Sequence, residues 1–230
     1  MHYMILRRAD ATSEAADFPS AELKASVSNA KWLQSSASAV RMKRSDGEWS
    51  FSDGPFDDVA VAGFTMVEAP DRRAAAEALA GGWPSSDAEG QAVLEVREAG
   101  CPGGCTGFDT GAAPQKTGYA ILLRSDSVSE ADLAPPADVI DIMNHANRAA
   151  IQAGTAISGE GLKSTARGSR VKFNAGKPVI VDGPFAEVKE LIAGYWLIDV
   201  DSLDEAIAWV KNYPYPNQGA MEVELRKVAL

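Results

Sequence analysis

The most distinctive group of ionisable side chains in this 230-residue chain is Asp182-Gly-Pro-Phe-Ala-Glu-Val-Lys-Glu190. A carboxylate from this group, Asp182 or Glu187, suits general acid or base catalysis, with Lys189 anchoring a substrate. A structural reading stands beside it: Asp182 accepts backbone amides in a turn, while Glu187, Lys189 and Glu190 form ion pairs. Histidine is the residue type best suited to act as a base near neutral pH, and Asp141 lies one helical turn before His145, placed to orient the ring. The same two residues also fit a solvated helix face. Glu224 and Arg226 share one side of an alternating C-terminal segment, matched earlier by Glu95 and Arg97. Charges turned into a shared interior must pair with each other or hold a polar ligand. The catalytic candidates are therefore Asp182, Glu187 and His145, and the ligand-binding candidates are Lys189, Glu190, Glu224 and Arg226.

Cys101 and Cys105 are the only cysteines, and His2 and His145 the only histidines. These are too few for a conventional Cys/His zinc site within the chain, and neither a metal nor a cofactor is expected. The Cys-x-x-x-Cys spacing leaves open a redox pair or a metal site, both weakened by missing ligands and the non-CxxC spacing, beside an incidental pair of thiols. The surrounding glycines are not a phosphate loop, because no Gly-Lys-Ser/Thr follows. A net charge of −10 argues against nucleic-acid binding, which needs a cationic surface. No apolar run approaches the roughly 20 residues that span a bilayer. The start of the chain lacks the charge-then-apolar order of a secretory signal, so a cytoplasmic location is expected.

The elements that must carry these residues repeat along the chain. Tyr3-Met-Ile-Leu-Arg-Arg-Ala-Asp10 parallels Tyr119-Ala-Ile-Leu-Leu-Arg-Ser-Asp126, and Asp53-Gly-Pro-Phe56 returns as Asp182-Gly-Pro-Phe185. Ala62-Gly-Phe64 parallels Ala193-Gly-Tyr195, and Leu94-Glu-Val-Arg97 parallels Val223-Glu-Leu-Arg226. The order is the same in both copies, which predicts one module over residues 1–98 and a second over 118–230. The stretch between them, 99–117, is rich in glycine and proline and reads as a linker.

Within the second module a strand is expected over 119–124. A helix should start at Pro135 and Pro136 and end at Gly154, with Val139, Met143, Ala146 and Ala150 as its apolar stripe. Strands follow near 156–162, 167–173 and 178–181. Residues 194–200 are apolar on both sides, as in a strand buried on both faces. Ser202 and Glu205 form a capping box that opens a helix stopped by Pro214. In the last strand Met221, Val223 and Leu225 alternate with Glu222, Glu224 and Arg226. The order is that of the ferredoxin-like split βαβ arrangement. Its sheet has helices on one face only, so each module should cover the other's bare face as an intrachain pseudo-dimer. Further homodimerisation is left open.

The second module resembles the YCII-related family, and within it the group marked by Asp-Gly-Pro-Phe. The resemblance rests on Gly159-Glu-Gly-Leu162, the stretch from Asp182 to Glu190, the stretch from Gly194 to Ala206, and Glu222-Val-Glu-Leu-Arg226. The first module is degenerate: it keeps Asp53-Gly-Pro-Phe56 but has Asp57-Asp58-Val59-Ala60-Val61 where the pattern continues Glu-x-Lys-Glu. The resemblance implies a bacterial protein with a dimeric α+β barrel fold, here closed within one chain. Related proteins are suspected enzymes with a His/Asp pair, and others accompany extracytoplasmic-function sigma factors. The function expected is small-molecule binding with a regulatory role. The alternatives are a metal-independent acid/base enzyme of the lyase or isomerase type and a structural interaction module.

Overall fold

The computed structural model describes residues 1–186, 191–215 and 219–229. The first half contains β1 (His2–Arg8), α1 (Ala21–Ser26), β2 (Lys31–Trp32), β3 (Val40–Ser45), β4 (Glu48–Asp53), β5 (Val61–Glu68), α2 (Arg72–Gly82), α3 (Ser85–Ala88) and β6 (Val93–Glu98). A short β7 (Phe108–Asp109) follows. The second half contains β8 (Thr117–Arg124), α4 (Ser127–Glu130), α5 (Ala137–Gln152), β9 (Ala156–Gly161), β10 (Ser169–Asn174), β11 (Lys177–Asp182), β12 (Ile192–Val200), α6 (Leu203–Asn212) and β13 (Met221–Lys227). Among the described residues no helix is long and apolar enough to cross a membrane.

The strands form two antiparallel sheets, one of six strands in the order β11-β10-β6-β1-β5-β2 and one of seven in the order β4-β3-β13-β8-β12-β9-β7. This is an α+β fold, but neither sheet belongs to one half of the sequence. The β3–β4 hairpin leaves its own half and pairs with β13, placing Arg41 opposite Glu224. The β10–β11 hairpin crosses the other way and pairs with β6, placing Arg170 opposite Glu95. The two hairpins thus join residues 1–98 to residues 118–230 by backbone pairing. An edge strand has unpaired backbone groups that must be satisfied, and here each half satisfies them with a hairpin from the other.

Side-chain alternation along the strands separates three apolar layers. Tyr3 and Ile5 of β1 pack with Ala75 and Ala76 of α2, whereas Met4 and Leu6 turn to the opposite side. There they meet Ala120 and Leu122 of β8, and Phe64 lies 4.5 Å from Tyr195. Tyr119 and Ile121 of β8, with Val223 and Leu225 of β13, face Met143 of α5 and Val210 of α6. The sheets thus pack face to face, with helices on the outer sides. The segment 99–117 packs on the second half: β7 pairs with β9, and the amides of Gln115 and Lys116 donate to the Asp199 carboxylate. Where it enters β8, a Cβ on Gly118 would lie 2.7 Å from Pro114, so glycine permits the close packing there.

Candidate functional site

Each Asp-Gly-Pro-Phe segment docks a crossing hairpin onto a short 3-10 turn. A Cβ on Gly54 would stand 1.7 Å from the Ser36 carbonyl oxygen, and one on Gly183 would stand 1.9 Å from that of Thr165. Glycine is needed for close approach of two backbones rather than for a left-handed turn. The next amides complete the contact: Phe56 N–H donates to Ser36 Oγ at 3.1 Å and Phe185 N–H to Thr165 Oγ1 at 3.2 Å. The phenylalanine rings then carry arginines, Arg41 over Phe56 and Arg170 over Phe185, each 4.0 Å from the ring centroid.

Those arginines enter two charge clusters with corresponding members. Arg41 Nε donates to Glu224 at 2.9 Å and Arg226 Nη1 donates to the same carboxylate at 3.0 Å. Arg170 Nε donates to Glu95 at 2.9 Å and Arg97 Nη1 at 3.1 Å. Arg226 continues to Glu14 and Arg97 to Glu130. Glu95 and Glu224 are both 0% exposed, and Arg97 and Arg226 are at most 1% exposed. Charges this deep are tolerated only with matched partners, and mutual pairing is what the structure shows for Glu224 and Arg226.

A cavity of about 900 Å³ opens at one end of the seven-stranded sheet. Its apolar wall includes Leu123, Met143 and Trp196, which belong to the helix-side core. Its polar wall includes Arg41, Lys43, Ser52, Asp58 and Arg124. Phe56 ends the first Asp-Gly-Pro-Phe segment and Asp58 follows it, so the first half of the chain helps to build this cavity. Gly159 and Gly161 flank Glu160 on β9, and each makes room for a neighbour. A Cβ on Gly159 would lie 2.9 Å from the Phe108 ring, and one on Gly161 would lie 2.5 Å from Cys101 Cβ. Gly107 packs on the Glu160 carboxyl group itself, where an added Cβ would stand 2.0 Å away. Asn147, buried on α5, fixes the apolar wall by accepting from Trp196 Nε1 at 3.2 Å and Tyr213 OH at 2.7 Å.

Electrostatics differ between the walls. Burial pushes the Glu160 carboxyl above the usual range, opposed only in part by the Gly161 amide and His2. Burial also opposes ionisation of Asp58, but the hydrogen bond from Arg41 and the charges of Arg41 and Arg124 outweigh it and hold that carboxyl below its ordinary value. Burial lowers Arg124, and the Arg41 charge adds to that while Glu224 opposes it. The cavity lining therefore combines fixed charges with a half-buried acid. Among the described residues, no group of three or more His, Cys, Asp or Glu side chains is placed to hold a metal ion.

The sequence candidates fall elsewhere. Asp182 accepts from Ser169 Oγ at 2.6 Å and pairs with Arg72 at 3.2 Å, and it is not among the cavity-lining residues. His145 is exposed on α5 with Asp141, also outside that lining. Glu224 and Arg226 lie in a buried cluster and do not line the cavity. Glu187, Lys189 and Glu190 lie outside the described residues. Glu160 and Asp58 were missed. The glycines flanking Glu160 were the available signal, since glycines inside a strand often mark close approach by another chain segment. Cys101 and Cys105 form a disulfide and both line the cavity.

The YCII-related domain profile matches residues 119–228. An uncharacterised protein of Rhizobium meliloti (strain 1021) is 31% identical over 114 residues, which cover 49% of this chain and 92% of that relative.

Proposed function

The chain belongs to the YCII-related family, and we propose that it binds a small amphiphilic molecule in the cavity at the end of the seven-stranded sheet. The observation that carries this reading is the cavity of about 900 Å³, with Leu123, Met143 and Trp196 on one wall and Arg41, Lys43 and Asp58 on another. Ligand sites are commonly concave, mainly apolar, and furnished with a few placed polar groups. The ligand's apolar body lies along the first wall and its polar head reaches the second. A regulatory role follows if occupancy is signalled to a partner.

The same cavity supports the ferredoxin-like pseudo-dimer and its tandem origin as proposals. Matching clusters around Glu95 and Glu224, and matching contacts of Phe56 and Phe185, are what duplication of one module would leave. An intrachain arrangement also explains why the degenerate copy retains Asp53-Gly-Pro-Phe56: that copy supplies part of the cavity wall.

A second reading, an acid/base enzyme, is favoured by one observation. Glu160 lies on the cavity lining with its carboxyl raised by burial, and perturbed acids in clefts are candidate proton donors. A thermal-shift screen of amphiphilic metabolites tests binding with wild type, Leu133→Glu and Lys43→Glu. Both side chains line the cavity and are exposed, so neither change disturbs the core. Hits weakened by either change are expected. Hits unaffected by both place the ligand elsewhere and overturn the binding reading. Turnover lost in Glu160→Gln while the hit still binds would favour the enzyme.

A further inference from the structure

The turn Cys101-Pro-Gly-Gly-Cys105 forms part of the cavity wall, yet the binding reading gives its disulfide no task. Gly103 and Gly104 both have φ of +85°, a left-handed conformation that glycine adopts freely. Gly104 N–H donates to the Cys101 carbonyl at 3.3 Å, closing the turn, and the cysteine Cα atoms come within 5.6 Å. That separation is within the range that a disulfide bridges. The closed loop is very short, so the bridge removes less chain entropy from the unfolded state than one closing a long loop.

Its surroundings fit exchange chemistry. Cys101 and Cys105 are half-buried and the two glycines between them are exposed, leaving a path for a small thiol. The Cys105 amide N–H donates to Cys101 Sγ at 3.0 Å. Lys163 Nζ donates to the Cys101 carbonyl at 3.2 Å, so an ammonium lies beside the same cysteine. An amide donor and a nearby cation both favour a thiolate, and a stabilised thiolate is a better leaving group. Cys101 is therefore the sulfur that leaves and Cys105 the sulfur that is attacked.

The turn is also pressed into the site. Gly100 N–H donates to the Gly161 carbonyl at 2.8 Å, and Thr106 N–H donates to Asn144 Oδ1 at 3.1 Å. Gly103 packs on the start of the α5 region, where an added Cβ would lie 2.8 Å from Ile140 and 2.9 Å from Ala134. Gly107, two residues past Cys105, covers the Glu160 carboxyl. We propose that Cys101–Cys105 is a reversible redox site for a low-molecular-weight thiol and its disulfide, and that its reduction loosens the 100–107 turn over the cavity.

The electrons balance without any group beyond these. A thiolate attacks Cys105 Sγ, the Cys101–Cys105 bond breaks, and Cys101 leaves as a thiolate with the bonding pair. A second thiolate attacks the outer sulfur of the mixed disulfide, releasing Cys105 and the external disulfide. Two external thiols are oxidised, the protein disulfide is reduced, and their two protons end on the protein dithiol. The external disulfide drives the reverse reaction.

The test is a titration of the intact folded chain in buffers of reduced and oxidised glutathione. Thiols are counted by alkylation and intact mass, and backbone amides are followed by NMR hydrogen exchange. The expected result is reversible interconversion between no alkylated thiols and two, with faster exchange at Gly104 and Thr106 in the dithiol form. Cys101→Ser should accumulate the glutathione mixed disulfide on Cys105, and Lys163→Met should slow reduction. A chain that stays in one state until denatured, or that interconverts with unchanged turn amides, overturns the proposal. The thiol count holds whether or not the cavity binds a ligand, so this test and the binding test fail separately.

Discussion

Glu224→Gln should be among the most damaging single changes in the chain. Glu224 is fully buried and accepts from Arg41 Nε at 2.9 Å and Arg226 Nη1 at 3.0 Å, with Arg124 at 3.8 Å. The amide keeps one acceptor but removes the charge, leaving guanidinium groups with the carboxylate they surround neutralised. Breaking a buried pair in this way costs about 3–5 kcal/mol, a large part of the roughly 5–15 kcal/mol that holds a domain folded. At about 2–4 °C per kcal/mol for a chain of this size, the melting midpoint should fall by roughly 6–20 °C. The retained acceptor places the expected value near the lower end. Glu95→Gln should cost about the same, because Arg170 and Arg97 stand at 2.9 and 3.1 Å from Glu95. Urea and thermal unfolding measure both, with Arg73→Ala as a control that removes only an exposed i,i+4 pair with Glu77 and should leave the midpoint unchanged. A loss under about 1 kcal/mol for either variant, or clearly unequal losses, would refute the reading of two equivalent and necessary clusters.

The remaining predictions concern the motif and the acid. Gly54→Ala and Gly183→Ala should each destabilise by at least about 1–3 kcal/mol, since the new methyl meets a carbonyl 1.7 or 1.9 Å away; urea midpoints check this, and tolerance of both would remove the docking role. Glu160 holds its proton more tightly folded than unfolded. Its contribution is therefore greatest below the unfolded carboxyl value of about 4.3 and is lost as pH rises through the raised folded value. Against pH, the stability of Glu160→Gln relative to wild type should rise through that window, and a flat difference would show that the acid is not desolvated.

Local patterns were legible in the sequence where a local cause set them. Met221, Val223 and Leu225 face the helices, as their alternation requires. Ser202 accepts the Glu205 amide, and Glu205 reaches back to the Asp201 amide, at the expected start of α6. Gly154, with φ of +71°, ends the helix where glycine predicted it. The exchange of hairpins was not legible, because β13 accepts a partner from residues 40–45 as readily as one nearby, and no local signal tells them apart. The site suffered for the same reason. Arg41 and Asp58 join Arg124 and Glu160 on one cavity lining only after that exchange, whereas the Asp-Gly-Pro-Phe motif drew attention to Asp182, which the fold spends on Ser169 and Arg72. Asn147 was equally hidden: it is a polar residue on the buried face of α5, beside Ile140 and Met143, where it anchors Trp196 and Tyr213.

The claim that the cavity is a binding site is most directly tested by titrating the chain with 8-anilinonaphthalene-1-sulfonate, an amphiphilic probe, while recording amide and indole NMR shifts. Binding in the cavity predicts saturable shifts concentrated at Gly159, Gly161, Gly194, Ser125 and the Trp196 indole, all on its lining. Shifts that do not saturate, or that gather instead on the exposed Val179 and Val181 of β11, would contradict it.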